Sequence, residues 1–498
     1  MLAVVLLAAG GGLAPPAGAA NGLTLVADPL QTWQVSGKVW ALASAPGVVY
    51  VGGTFDSVRP PEAPAGTGEV PRANFAAIDA STGEPLPCAP AFTVTAGVTP
   101  SIEGMETSPD GSTLYVGGRF SSVNGKPAGN FAAIDTATCT VRTGFPSFNG
   151  SVRAFAPTAT SVYVGGSFTK AGGQTRTRLA KLSSTGQLQT WAPSADNAVQ
   201  ALTIAPVAAP SRVYAGGDFL TVNGQSIQAI VALDTTSGEV VQTFPGWITD
   251  KSRVKALAND GQNFYLAAEG TGAGQFDGRI AANLATGAML WRDGCTGATQ
   301  DIEPVGKILY SASHAHDCSH NPDGFPNYAM DGRQHLLAEK IADRTILPWF
   351  PDTNEGVNNV GVGPYALVFA AGQLWVGGEF TTVNKSPQQG LTRFPASPDT
   401  GAPPIVQPTG TSTTTGVATV SWPASWDRDD GLLTYALYRD DATTPIYQKQ
   451  VDSRFWLRPT IAFDDTNVAS GSTHSYRVTV SDGLNTSRKS SATVVTVL

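Results

Sequence analysis

Short apolar runs alternate with polar turns along almost the whole chain, and the runs recur as near copies of one another. The hexapeptide YVGGTF at 50–55 returns as YVGGRF at 115–120, YVGGSF at 163–168, YAGGDF at 214–219 and WVGGEF at 375–380, with weaker copies YLAAEG at 265–270 and YSASHA at 310–315. The aromatic anchors stand 65, 48, 51, 51, 45 and 65 residues apart. Before each anchor lies an apolar pattern with one variable position: VWAL at 39–42, IEGM at 102–105, VRAF at 152–155, VQAL at 199–202, VKAL at 254–257, and looser TQDI at 299–302 and PYAL at 364–367. After it come a polar turn such as SVNG at 122–125, a run such as FAAID at 131–135 or IVALD at 230–234, a T-G or S-G turn, and a segment such as LQTWAP at 188–193. Short apolar and alternating runs bounded by Gly-rich turns mark strands. Each unit therefore reads as four strands, the size of a propeller blade rather than of a helical repeat.

The ends of the array predict closure. The seventh unit stops after LTRF at 391–394 without its fourth strand, whereas LQTW at 30–33 matches the LQTW of 188–191. An N-terminal strand that completes the last blade closes the ring and removes edges that would template aggregation. The expected fold is all-β, with a seven-bladed β-propeller over residues 23–395. The paired glycines then mark places where backbones approach too closely for a side chain.

The YVGGxF…VNG unit resembles the delta-60 repeat, a β-propeller family common in secreted bacterial proteins, over about three quarters of the chain. The resemblance implies the fold and says little about activity, since members of that family mostly lack an assigned one. Thr286, Gly287 and Trp291 are also similar to the turns of quinoprotein dehydrogenase blades. That family has eight blades against the seven units here, and its adjacent cysteine pair is absent from this chain.

Beyond the array, ASPDTGAPPIVQP at 396–408 has the composition of a semi-rigid linker. Alternating runs then resume as VATVSW at 417–422, LTYALYRD at 433–440, HSYRVTVSD at 474–482 and SATVVTVL at 491–498. Residues 409–498 are expected to form a β-sandwich. Trp422 in an early strand, the Tyr-rich middle run and Tyr476-Arg477-Val478 resemble a fibronectin type III domain, which here would serve as a spacer.

Composition narrows the function class. With 42% hydrophobic and 14% charged residues, wholesale disorder is excluded. Thirty-one Lys and Arg against 39 Asp and Glu, a net charge of −8 and no basic block leave no footprint for a phosphate backbone, so nucleic acid is not an expected partner. Residues 1–20, MLAVVLLAAGGGLAPPAGAA, read as a signal peptide with a cleavage pattern at Ala17-Gly18-Ala19. No other stretch approaches the ~20 apolar residues of a membrane span. A secreted, extracellular monomer is expected, and its four cysteines, with no C-x-x-C, suit disulfides. Cys295 and Cys318 follow strands whose connections emerge on one face and are predicted to pair; Cys88 and Cys139 pair by elimination.

The variable position before each anchor holds Trp40, Glu103, Arg153, Gln200, Lys255, Gln300 and Tyr365. Innermost strands line the channel of a propeller, so these residues are predicted to ring it, with aromatic platforms beside amides and charges suited to a sugar or peptide ligand. A water-filled channel accounts for polar residues there as well. A second ring, just after the paired glycines, holds Thr54, Arg119, Ser167, Asp218, Glu269, His314 and Glu379. Its arc of Asp218, Glu269, His314 and Glu379 offers cation ligands or an acid and base if the groups converge, and a solvated rim if they do not. His314, His316 and Asp323 are the metal candidates, although a bridged Cys318 leaves the histidines as surface polar groups. No cofactor is expected; for calcium the alternatives are Asn321, Asp323 and Asp331, in a loop without the twelve-residue calcium pattern.

Insertions at 59–72 and 317–334 follow the second strand of their units and so share one face, the side on which repeat proteins build binding surfaces. No G-x-S-x-G, H-E-x-x-H or P-loop occurs. The favoured reading is a secreted binding or scaffold protein engaging an extracellular glycan or protein. Its rival is a polysaccharide hydrolase or lyase using Glu103, Asp218, Glu269, His314 or Glu379.

Overall fold

Every anchor aromatic sits in the second strand of an antiparallel sheet and is buried there, as at Tyr50, Tyr214 and Trp375. The computed structural model describes residues 24–95, 98–205, 211–327, 333–359 and 361–498; the expected signal peptide at 1–20 and Asp331 lie outside the described residues. Each sheet begins with one of the strands Lys38–Ala45, Ser101–Thr107, Val152–Pro157, Val199–Ala205, Ser252–Asn259, Thr299–Val305 and Pro364–Ala370. Each of these inner strands touches the next, and the last touches the first. The array is thus a closed β-propeller. A fourth, outer strand is regular at Thr140–Val141, Val240–Thr243 and Met289–Arg292, and shrinks to single bridges such as Ile78 with Pro85 and Leu182 with Leu188. In the last sheet the N-terminal segment takes the outer place, with Val26 N donating to Pro395 O at 2.8 Å and Leu30 N to Arg393 O at 3.0 Å.

The repeated sequence explains the packing. A Cβ at Gly216, the first of its glycine pair, would collide with Val254 of the next inner strand, and one at Gly217 would strike the Ala198 carbonyl of its own sheet. These residues allow a neighbouring blade and a bulge to press against the anchor strand. The anchors also reach sideways: Tyr163 Oη donates to Thr235 O and Tyr214 Oη to Leu284 O, each at 2.8 Å in the following sheet. The VNG turns become small hairpins, Ser122–Val123 with Lys126–Pro127 and Thr221–Val222 with Gln225–Ser226. Their positive φ values, 51° at Asn124 and 74° at Gly125, are those an Asn-Gly hairpin turn requires. The asparagine also tethers the preceding segment, accepting Ala91 N through Asn124 Oδ1 at 2.8 Å.

Past residue 395, Thr409–Thr411, Ala418–Pro423 and Thr460–Asp465 form one sheet, and Tyr447–Asp452, Leu432–Arg439, Thr473–Ser481 and Thr493–Thr496 another. Trp422, Tyr435, Leu437 and Val478 fill the core they share. This unit packs directly against the propeller. Phe350 N donates to Arg428 O at 2.7 Å, and Phe455 and Trp456 each stand 5.2 Å from Phe350 and under 6 Å from Phe325. Burial of these rings against one another favours docking over separation. The cluster rests on the Cys295–Cys318 disulfide, and the Cys88–Cys139 disulfide links the outer parts of the first two sheets. Among the described residues the only helical piece is a 3-10 turn at Val357–Asn359, and no helix is long and apolar enough to cross a membrane.

Candidate functional site

Each inner strand carries a β-bulge, and the extra residue is the variable one: the register shifts between Val39 and Ala41, Ile102 and Gly104, Val152 and Ala154, Val199 and Ala201, Val254 and Ala256, Thr299 and Asp301, and Pro364 and Ala366. A bulge bends its strand and re-aims one side chain. Here it delivers Trp40, Glu103, Arg153, Gln200, Lys255, Gln300 and Tyr365 to the channel, where all of them line one cavity of about 460 Å³. Thr54 and Arg119 of the second ring, with Thr99 and Ser101, form the rest of its wall. The same bulged residues also bound a deeper cavity of about 540 Å³ between the inner strands, so they lie across the channel as a septum.

The septum is stitched from blade to blade. Arg153 Nε donates to Glu103 Oε2 at 3.0 Å and its Nη1 to Gln200 Oε1 at 3.1 Å, and Gln200 Nε2 donates to Asp218 Oδ2 at 2.7 Å. Glu269 accepts Gln300 Nε2 at 2.7 Å and Arg253 Nε at 2.7 Å, with Lys255 Nζ at 3.4 Å. Tyr365 Oη donates to Glu379 Oε1 at 2.6 Å, and Lys38 pairs with the other oxygen of that carboxylate. The Trp40 and Tyr365 rings meet with centroids 4.5 Å apart, and Trp40 Nε1 donates to Thr54 Oγ1 at 3.1 Å. Burial alone would raise the carboxyls of Glu103, Glu269 and Glu379. Their hydroxyl, amide and cationic partners outweigh it and hold all of them below the usual range.

The predicted arc is therefore drawn apart into local pairs rather than gathered into one acid–base site. Asp218, Glu269 and Glu379 each serve the septum from a different place, and the pKa of His314 is lowered by burial first and by the charges of Arg333 and His335 after it. Ser167 does not line the cavity. His316 lies 3.3 Å from Thr296 Oγ1, and Asp323 pairs with Arg454 at 3.7 Å. Neither these nor His314 belong to a group able to surround one ion among the described residues.

Three carboxyls of the deeper cavity had not been singled out: Glu106, Asp301 and Glu303. Burial between the inner strands pushes them up to about 7, about 7 and about 8, with the Glu106 side chain itself open to the cavity. Asp301 Oδ2 accepts Leu367 N at 2.7 Å and Glu303 Oε1 accepts Phe369 N at 3.0 Å, satisfying amides on the channel edge of the last inner strand. The signal that points to them is charge at the first and third positions after the bulge, where the other units mostly carry Ala or Gly.

A family model described as a domain of unknown function (DUF5122) beta-propeller matches residues 161–189. Similar solved structures include the β-propeller domain of Myceliophteria thermophila Cps50 (Swd1), 9% identical over 64% of this chain and 93% of that one with a TM-score of 0.35. Another is KlAtg21 in complex with the coiled-coil of AgAtg16, 10% identical over 65% of this chain and 93% of that one, also at 0.35. No curated protein matches the chain. The matched repeat and the closed ring of sheets make this a β-propeller protein.

Proposed function

We propose that the chain is a secreted binding or scaffold protein that holds an extracellular glycan, or a peptide segment of an extracellular protein, on its septum. The propeller is read as seven-bladed over residues 23–395, and residues 409–498 as a fibronectin type III-like module; its three-and-four-stranded pair of sheets supports that reading. Two disulfides are compatible with an extracellular site of action. The observation that carries the proposal is the convergence of one side chain from every inner strand on a single cavity. An aromatic pair there stands beside amides and ion pairs already fixed in place. Such a surface offers a stacking face and preset donors and acceptors to a polar ligand.

A glycan and peptide array, followed by calorimetry on the hits, tests this reading. Trp40→Ala should weaken binding about tenfold or more, the scale of losing one buried aromatic contact. An array blank for the wild-type chain, or a hit indifferent to Trp40, defeats it. One observation favours a second reading as a polysaccharide-processing enzyme: Glu303, raised by burial to about 8, keeps its proton near neutrality, as a general acid must. Release of reducing ends that disappears in Glu303→Gln would favour it.

A further inference from the structure

The junction between the propeller's closing segment and the C-terminal sheets gathers aspartates from separate stretches of chain. Asp28 follows the first described residues, and Asp399 lies in the Pro-rich stretch. Asp427, Asp429 and Asp430 occupy the loop between strands Ala418–Pro423 and Leu432–Arg439, and Asp482 follows strand Thr473–Ser481. One carboxylate oxygen from each of Asp399, Asp429 and Asp430 lies within 4.8 Å of the others. Two oxygens held by one calcium ion at about 2.4 Å can stand at most about 4.8 Å apart, so the spacing fits a single coordination shell.

A separate observation points to a bound cation. Asp482 is 4% exposed. Its Oδ1 accepts Leu484 N and Asn485 N, both at 2.6 Å, while Oδ2 is buried with no hydrogen-bond partner. Asn485 of that same turn donates its Nδ2 to Asp399 O at 3.4 Å, which sets the turn of Asp482 beside the cluster. Asp399 repeats the pattern: Oδ1 accepts Gly401 N at 3.1 Å, and Oδ2 is buried and unpartnered. Leaving a buried carboxylate oxygen without a donor is costly. Two such oxygens at one acidic centre mark the place of a positive charge. Arg428, in the same loop, gives a guanidinium N–H to Phe350 O at 3.0 Å and lies 5.2 Å from the Trp426 ring.

We propose that Asp399, Asp429 and Asp430, with Asp482 behind them, bind one divalent, oxygen-preferring cation at this junction, calcium in preference to magnesium. Carboxylates drawn from separate segments suit the irregular, high coordination of calcium better than the strict octahedron of magnesium. The site also joins two parts of the fold. Ala27 N donates to Asp429 Oδ2 at 2.6 Å, and Thr400 Oγ1 to Asp28 Oδ2 at 3.0 Å. The ion therefore fastens the segment that closes the ring to the sheets docked on it. This site stands apart from the septum and does not depend on what the septum binds.

The test is calorimetry on the full chain, stripped with a chelator and titrated with calcium or magnesium near neutral pH. One calcium per chain is expected, with magnesium about tenfold weaker or worse. Asp430→Asn should lower calcium affinity about tenfold or more, the usual scale for losing a charged ligand, whereas Asp323→Asn, in the other acidic loop, should leave it unchanged. If circular dichroism shows that Asp430→Asn does not fold, terbium luminescence on the wild-type chain takes its place. The terbium signal should be displaced by calcium and lost in Trp426→Phe. No heat and no luminescence with the wild-type chain, calcium binding untouched by Asp430→Asn, or luminescence that survives Trp426→Phe would each overturn the proposal.

Discussion

The septum and the junction are both rich in carboxylates, and they solve the problem of packing them in opposite ways. In the septum Glu103 meets Arg153, Glu269 meets Arg253, Lys255 and Gln300, and Glu379 meets Lys38 and Tyr365. Partners come from the same or the next blade, and the carboxyls are easier to ionise than usual. In the junction Asp399, Asp427, Asp429 and Asp430 crowd together, and burial followed by neighbouring aspartates makes them harder to ionise. A charge network repeated around a ring brings its own counter-charges at each step. An acidic cluster assembled once, where the closing segment meets the C-terminal sheets, has the charge of Arg428 acting on it and still holds its protons to higher pH than usual.

The sharpest way to break this comparison is to remove a carboxylate from the septum. Glu269→Ala strands Lys255 and Arg253 side by side and leaves Gln300 without its acceptor. The cost should be about 3 kcal/mol, measured as a fall in urea-unfolding free energy, because the carboxylate of Glu269 holds Gln300, Lys255 and the half-exposed Arg253 at once and all lose it together. The second test is the pH dependence of stability with calcium chelated. Glu103, Glu269 and Glu379 titrate in the folded state below their ordinary 4.5, so their contribution is present above that value and fades only as pH falls further. Asp430 runs the other way. It keeps its proton up to about 7 when folded but only to 3.8 when unfolded, so stability declines as pH rises through that window. A loss of order 2 kcal/mol between those limits is expected for the junction, and calcium should flatten it. The smallest effect has the opposite sign to the first: Asp430→Asn should stabilise the calcium-free chain in mild alkali by about 1 kcal/mol, because it removes a repelling charge. A destabilised variant under those conditions would erase the contrast between the two regions.

What could be read in the sequence follows from what repeats. The septum residues were legible because VWAL, VRAF, VQAL and VKAL align, and the position that varies is the one the bulge turns inward. The glycine pairs and the VNG turns were legible for the same reason: a fixed backbone need recurs at each unit. The second ring left its convergence open because equivalence in a repeat gives direction, not distance. Residues on different blades point along similar lines while each takes the partner its own surroundings offer, as Asp218 does at Gln200 and Glu379 at Tyr365. The junction has no copy elsewhere in the chain, and Asp28, Asp399, Asp430 and Asp482 are brought together only by docking. Its one local sign was DRDDG at 427–431, which by itself reads as a polar turn. Docking was hidden as well, since Phe325, Phe350, Phe455 and Trp456 look in sequence like ordinary core residues, and prolines between domains suggest separation.

The bulged residue of each inner strand stands outside the ladder and outside the apolar packing between blades, which the residue before it and the residues after it supply. The strand ladder thus does not dictate its identity, which is tied instead to its neighbours in the septum. Tryptophan, glutamate, arginine, glutamine, lysine, glutamine and tyrosine occupy the same structural slot in turn. A scaffold of this kind lets the septum change its chemistry while the blades stay as they are, provided that bonded neighbours such as Glu103 and Arg153 change together. Relatives sharing the blade sequence are then expected to differ most at these seven positions, and to differ there in what they hold.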